Sequence, residues 1–219
     1  RSLEGRTVES IDRRAKYLLI RLDGGLTWMC HLGMTGRWTL LGANSTEADD
    51  ETHDWVVAHL DDGGRAVFSD HRRFGFMDAF KTTEQGQNKF PSKLGPEPTP
   101  DYLTPMDLAE GLRGRRTPMK TALLDQATVA GLGNIYVCEI LFRSGISPRR
   151  SASSVAGKSG VTRRVERVTA NTHDVITEAI DAGGSTISDF VNVEGDLGYF
   201  SHSFQVYGRE GESCLSEGC

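Results

Sequence analysis

Residues 131–134 (Gly-Leu-Gly-Asn) are the clearest candidates for ligand binding in this 219-residue chain. Two glycines permit positive φ angles and let the backbone approach a ligand closely. Asn134 is predicted to cap the following helix, whose unpaired N–H groups and dipole favour an anion. The pattern indicates a phosphate-binding turn, although a tight capped turn between two helices explains the same four residues.

The charge distribution supports a polyanion site of limited extent. The net charge is −5, which by itself argues against nucleic acid. Residues 113–168, however, contain eleven Lys/Arg and three acidic residues, a balance of +8, and the remainder of the chain carries −13. A basic segment on an acidic chain is typical of local polyanion binding. Solvated helix faces are the alternative explanation.

A second candidate lies at residues 70–75 (DHRRFG), which follow a strand-like run. Arg72 and Arg73 stand beside Phe74, and this combination suits a phosphate contact together with an aromatic wedge against a base. An ion pair on an edge strand, with the phenylalanine in the core, explains the same residues.

Residues 31–36 (HLGMTG) and Lys16 are less specific on their own. Gly33 and Gly36 mark a turn, in which Met34 is either presented outward or packed in the core. The residues alone favour the buried position for Met34. Lys16 opens a strand-like run, and such a lysine is usually solvated.

The cysteines indicate half of a metal site and no disulfide framework. Cys30 and Cys138 lie in apolar runs and are expected to be small buried side chains. Cys214 and Cys219 have the C-x4-C spacing of half a four-ligand Zn²⁺ site. No apolar run approaches the roughly 20 residues of a membrane span. The chain shows no signal-peptide pattern, so a cytoplasmic protein is expected.

The element pattern predicts an α+β protein. Short strand-like runs and hairpin turns such as residues 61–64 (DDGG) predict an antiparallel β-sandwich over residues 1–92. Helical periodicity and the Thr104-Pro105 start signal predict a helical domain over residues 93–203. Residues 204–219 return to strand-like and turn-like composition, as expected for the start of a zinc-finger β-hairpin.

Together, in their order along the chain, these motifs resemble the formamidopyrimidine-DNA glycosylase and endonuclease-eight-like family of repair enzymes. The resemblance runs the whole length. It rests on RRAKYLL (13–19), HLGMTGRW (31–38), DHRRFG (70–75), LGPEP (94–98), LLDQATVAGLGNIYVCEILFRSGISP (123–148), GGST (183–186) and VYGREGESC (206–214). The segment at 123–148 resembles the helix-two-turn-helix of that family.

The resemblance implies a monomer that excises oxidised purines, chiefly 8-oxoguanine and formamidopyrimidines, from damaged double-stranded DNA by base flipping. It gives Lys16 a catalytic role in proton movement, and it reverses the preference for a buried Met34. Met34 and Phe74 would fill the gap left by the flipped base, and Arg72 would contact the orphaned cytosine. The family's other DNA-contacting positions match His53, Arg115, Lys120, Gly133 and Asn134. Residues 191–200 match a loop that covers the lesion.

The family's chain opens with Met-Pro-Glu, in which the proline amine is the nucleophile, whereas this sequence opens with Arg1. The sequence is therefore expected to be an internal fragment that does not excise bases, with the second half of its zinc site missing. Three alternatives remain open at this point. They are an oxidised-pyrimidine glycosylase of the same family, a non-catalytic helix-two-turn-helix nucleic-acid-binding protein, and a structural module with a solvated basic face.

Overall fold

The structure, a computed structural model, describes residues 2–47, 52–158, 160–185 and 198–216. The chain divides into two compact units: residues 1–88 with 185–198, and residues 89–184 with 199–219. None of the helices in the described ranges is both long and apolar enough to cross a membrane.

The first unit consists of two antiparallel sheets. β1 (Val8–Arg14), β2 (Tyr17–Leu22), β3 (Leu26–His31) and β7 (Phe76–Lys81) form a four-stranded sheet in the order β1-β2-β3-β7. β4 (Arg37–Leu41), β5 (Asp54–His59) and β6 (Arg65–Ser69) form a second sheet in the order β4-β6-β5. The antiparallel β-architecture predicted for this part of the chain is confirmed.

Aromatic packing joins the two sheets in the core of this unit. Trp28 on β3 meets Trp38 on β4 edge to face, with ring centroids 5.5 Å apart, and Trp38 packs on Phe68 of β6 at 5.4 Å. Met29 and Cys30 are fully buried beside them, as the sequence predicted for Cys30. Burial of these large rings and their neighbours stabilises the sandwich through the hydrophobic effect.

The second unit is helical and has one core. Its helices are α1 (Pro105–Leu112), α2 (Met119–Leu124), α3 (Asn134–Arg143), α4 (Ala152–Ala156) and α5 (Arg163–Asp181). Thr104 and Asp107 form a capping box around Pro105, the first residue of α1, as the start signal predicted. α3 ends at Arg143, and Gly145, with a φ of 59°, lets the amides of Gly145 and Ile146 bond back to Phe142 and Leu141.

β7 begins at Phe76, because Phe74 and Gly75 belong to the preceding turn. One expectation about the elements was wrong. Residues 204–216 contain turns and bends and no strand. The α+β class is confirmed, but this described part of the predicted zinc-finger hairpin does not pair as strands.

Candidate nucleic-acid interface

Two turns of the first unit, residues 31–36 and 70–75, pack together and are called the wedge platform below. A Cβ placed on Gly33 would lie 2.5 Å from both the Gly75 nitrogen and the Phe74 carbonyl carbon, closer than atoms can approach. Gly33 also has a φ of 67°, a conformation that favours glycine. The two turns therefore meet backbone to backbone.

Asp70 holds the two turns of the wedge platform together. Its buried carboxylate accepts hydrogen bonds from the Thr35 hydroxyl at 2.5 Å and the Gly75 amide at 2.7 Å, one bond to each turn. Desolvation alone would raise the pKa of Asp70. Hydrogen bonds from Thr35 and from the backbone of Gly75, Arg72 and Arg73 outweigh it and hold the pKa below its ordinary value. The platform is thus organised around a buried carboxylate.

The tips of the platform are apolar and exposed. Met34 is 68% exposed and Phe74 is 57% exposed, which rules out the buried alternative for both side chains. The Arg72 guanidinium lies over the Phe74 ring, 5.0 Å from its centroid. Two exposed apolar tips beside a cation can fill an apolar gap and meet a polar group next to it.

Lys16 lies in the two-residue turn between β1 and β2, which join at Arg14 and Tyr17. Desolvation by the surrounding protein lowers the pKa of Lys16, although the residue keeps an exposed surface. The pKa of His31 is lowered by desolvation and then by the charge of Lys16, so the two residues are neighbours. Lys16 is thus exposed, as the residues alone suggested, and it lies beside His31.

His31 connects this lysine to the wedge platform. Its Nδ1 accepts a hydrogen bond from the Gly33 amide at 2.9 Å, which places the proton of the neutral ring on Nε2. Its ring stacks on Phe76 at 5.3 Å and lies 5.1 Å from the Tyr17 ring. His53 also borders the platform, since its carbonyl accepts from the Asp70 amide at 3.0 Å and its ring lies 6.1 Å from that of His71.

Backbone strain coincides with these positions. Ala15, with φ 52°, and Arg73, with φ 57°, are the two residues other than glycine that adopt positive φ in the described ranges. Ala15 precedes Lys16, and Arg73 separates Arg72 from Phe74. Residues held in such conformations concentrate at functional sites, where surrounding contacts stabilise them.

In the second unit, Gln126 builds the turn at residues 131–134. Its amide donates to the carbonyls of Leu124 and Leu132 at 3.0 Å, and its oxygen accepts from the Gly131 amide at 2.8 Å. The predicted N-cap was wrong: Gly133, in an extended conformation, is the N-cap of α3. Asn134 is instead the first helical residue, and it is exposed. The Gly133 carbonyl accepts the first helical bond, from Val137 at 3.0 Å.

Arg115 and Lys120 both have protein partners. Arg115 forms an ion pair with Asp125 at 2.6 Å, and both side chains are partly exposed. Its hydrogen bond and charge lower the pKa of Asp125. The Lys120 ammonium lies 3.4 Å from the Cys138 sulfur, and that sulfur lies 3.9 Å from the Asn134 side-chain oxygen. Lys120 and Asn134 therefore share one neighbourhood on α2 and α3.

Glu139 is a functional candidate that the sequence did not reveal. It is fully buried on α3, and its carboxylate accepts from the amides of Gln205, Val206 and Tyr207 at 2.8, 3.0 and 2.9 Å. The segment leading to Cys214 is thereby anchored to α3. His31, Asp70 and Gln126 were missed in the same way, although His31 and Asp70 stood inside quoted motifs.

The described residues alone do not form a zinc site. Cys214 is exposed, and its sulfur accepts from the Ser216 amide at 3.4 Å. Cys219 lies outside the described residues. In the described ranges, no three His, Cys, Asp or Glu side chains converge on a common point. Residues 191–197 of the predicted lesion-covering loop also lie outside the described residues, whereas Tyr199 is 65% exposed.

Sequence comparison matches both units to one family. The formamidopyrimidine-DNA glycosylase N-terminal domain matches residues 1–77, and the H2TH domain of the same glycosylase matches residues 94–191. The formamidopyrimidine-DNA glycosylase of Ruegeria sp. (strain TM1040) is 48% identical over 222 residues, which cover 99% of this chain and 77% of the relative. That of Rhizobium etli (strain CFN 42) is 46% identical over 230 residues, covering 99% and 78%.

Solved structures agree with the sequence relatives. A structure of MutM in complex with carbocyclic 8-oxo-G containing DNA superposes with a TM-score of 0.85 at 31% identity, covering 97% of this chain and 74% of that one. A complex between the Lactococcus lactis Fpg and an abasic site containing DNA gives 0.84 at 31% identity, covering 96% and 74%. The chain therefore belongs to the formamidopyrimidine-DNA glycosylase family of enzymes.

Proposed function

We propose that this chain serves in base-excision repair as the lesion-recognising part of a monomeric glycosylase and abasic-site lyase that removes oxidised purines from damaged double-stranded DNA. The observation that carries the proposal is the wedge platform, with Met34 and Phe74 exposed beside the Arg72 guanidinium. The family relationship and the DNA complexes of its structural neighbours support the same conclusion.

The wedge platform suits the energetic problem of base flipping. Extruding a nucleotide breaks its stacking and leaves an apolar gap in the duplex. Met34 and Phe74 would fill that gap, as apolar wedge residues do at unstacked base steps. Arg72 would satisfy the base that has lost its partner, with a guanidinium suited to bidentate contacts. The rigid backbone contact between the turns would keep all three side chains in register.

The chemistry that we propose has two stages. An amine nucleophile attacks the sugar C1′, the C1′–N bond to the damaged base breaks, and a Schiff base forms. The Schiff base acidifies the C2′ proton, and β- and δ-elimination then break the two phosphodiester bonds. Lys16 would assist proton movement during these steps, and desolvation lowers its pKa from the ordinary value of a lysine. His31 beside it would help to hold its position.

Phosphate docking is assigned to polar and basic groups of both units. The exposed Asn134 and the Gly133 cap would present amide donors at the start of α3. Arg115, Lys120 and, in the first unit, His53 would contact further phosphates, with Arg115 exchanging Asp125 for DNA. A structural Zn²⁺ at Cys214 and Cys219 stays a prediction, since two thiols make half of a four-ligand site.

Binding to an abasic-site analogue tests the proposal without requiring turnover. The measured quantity is the ratio of dissociation constants for an intact duplex and for the same duplex carrying a tetrahydrofuran site. We expect the protein to prefer the lesion, and Met34→Ala or Phe74→Ala to lower that ratio by about tenfold, as for buried anchor residues at interfaces. Leu40→Ala is the matched control, because Leu40 is 62% exposed in the same unit but lies outside the platform.

Two results would contradict the proposal. One is equal affinity of the protein for the lesion and the intact duplex. The other is an unchanged ratio for Met34→Ala and Phe74→Ala, which would remove the wedge platform from recognition of the lesion.

A further inference from the structure

We propose that Trp55 and Arg73 form a latch that sets the wedge platform in its DNA-reading conformation, so that Trp55 is a positioning residue for lesion recognition. This inference rests on the proposed function of the platform. Trp55 was not among the candidate contacts to DNA, and the sequence suggested for Arg73 a phosphate contact and not a structural role. Both residues contact Asp70, which holds the two turns of the platform together.

Arg73 adopts a conformation that requires an external restraint. Its φ is 57°, and a left-handed residue with a side chain is disfavoured by the clash between Cβ and the backbone. Arg73 lies between Arg72 and Phe74, so this one residue determines the directions in which those two side chains leave the turn. A relaxed Arg73 would redirect Arg72 and Phe74 together.

Trp55 on β5 supplies the restraint through two contacts. The Arg73 guanidinium lies over the Trp55 ring, 3.9 Å from its centroid, closer than the Arg72 guanidinium lies to Phe74. The Trp55 indole N–H donates to the Asp70 carbonyl at 2.8 Å. That same carbonyl accepts from the Arg73 amide at 3.3 Å. One indole therefore fixes both ends of the strained segment.

The latch is built on the organising residue of the platform. The Asp70 side chain joins Thr35 to Gly75, while its carbonyl receives Trp55 and Arg73. Trp55 is 42% exposed even though its N–H donates a hydrogen bond, so much of this large side chain faces solvent. Packing of the core does not require a tryptophan at this position. Tryptophan is the best cation–π partner, so stacking of Arg73 provides a specific reason for a tryptophan at this position.

The test compares Trp55→Leu, Trp55→Phe and Arg73→Ala with the unaltered protein, using the intact and tetrahydrofuran duplexes. Trp55→Leu and Arg73→Ala are expected to lower the preference for the lesion by about three- to tenfold each, the range of a partly exposed cation–π contact. The double variant should be no worse than Trp55→Leu alone, because that change already removes the cation–π contact that Arg73→Ala removes. Trp55→Phe keeps an aromatic face for Arg73 but loses the N–H bond to Asp70, so it should retain part of the preference.

Two further measurements separate positioning from general destabilisation. Affinity for the intact duplex should stay unchanged in Trp55→Leu, and the thermal unfolding midpoint should fall by only a few degrees, about what loss of one partly exposed hydrogen bond costs. A 2-aminopurine placed beside the tetrahydrofuran site brightens when it is unstacked. With saturating protein, this brightening should fall in Trp55→Leu and recover in Trp55→Phe.

Three results would overturn the latch. They are an unchanged lesion preference in Trp55→Leu, losses that multiply in the double variant, or an equal loss of affinity on both duplexes. The last result would make Arg73 an ordinary phosphate contact. A protein that shows no lesion preference at all contradicts the proposed function, whereas a preference that survives Trp55→Leu contradicts only the latch.

Discussion

Replacement of Asp70 by asparagine tests whether one buried carboxylate organises the wedge platform. The side chain is 1% exposed and accepts from the Thr35 hydroxyl and the Gly75 amide with one oxygen each. Asparagine keeps one carbonyl oxygen, which can serve Gly75, while its amide group must face Thr35. One charge-assisted hydrogen bond is lost and the other becomes neutral. The free energy of unfolding should fall by about 2 kcal/mol, within the range for bonds to charged groups.

Unfolding in urea, monitored by tryptophan fluorescence, measures this loss of stability in the first unit. All three tryptophans, Trp28, Trp38 and Trp55, belong to the first unit, so the signal reports its unfolding. Asp62→Asn is the matched control, since Asp62 accepts from the Gly64 amide at 2.8 Å in an exposed hairpin. That exposed change should stay within about 0.5 kcal/mol of the parent protein.

The pH dependence gives an independent check. Because the folded-state pKa of Asp70 lies below its unfolded-state value near 3.9, its stabilisation is complete above that value. It is lost as the pH falls through the folded-state pKa. The difference in stability between the parent and Asp70→Asn should therefore shrink below about pH 4. A difference under about 0.5 kcal/mol at neutral pH, or one that grows with acid, would refute the role assigned to this carboxylate.

Two further predictions concern the second unit. Arg115→Ala with Asn134→Ala should weaken binding to every duplex. In a salt titration the slope of log K should fall by about one unit, which comes from the charge of Arg115, since Asn134 is neutral. Unchanged binding would remove both residues from phosphate docking. Glu139→Gln should leave at least one of the amides of residues 205–207 unsatisfied and cost about 1–3 kcal/mol. Hydrogen exchange should then rise at those amides, and unaltered protection there would show that the anchor is dispensable.

The sequence predicted those features that depend on neighbouring residues. Thr104 and Pro105 start α1 as expected, because a cap and a first-turn proline act within a few residues. The left-handed Gly145 just after α3 likewise forms its hydrogen bonds with residues a few positions away. The sequence pattern wrongly predicted Asn134 as the N-cap of α3. Gly133 takes the extended cap conformation, and Asn134 is therefore the first residue of the helix.

Features that depend on long-range contacts were not predictable from the residues alone. The residues alone favoured a buried Met34, whereas its exposure accompanies the contact between Gly33 and Gly75, which are distant in sequence. The partner of Asp70 is Thr35, 35 positions away. The amides bound by Glu139 lie more than 60 positions along the chain. Family resemblance supplied the exposed Met34, because it carries information about the fold that residue periodicity lacks.

The backbone contact between Gly33 and Gly75 has a consequence for protein engineering. Because the two turns are joined without the side chains of Met34 and Phe74, those two positions can be rewritten with little cost to folding. A fluorescent or photo-crosslinking amino acid at residue 34 would be attached to a backbone that the contact with Gly75 holds in place, with residue 74 unaltered. The protein thus offers a ready scaffold for a sensor that reports an opened base step by a change in emission.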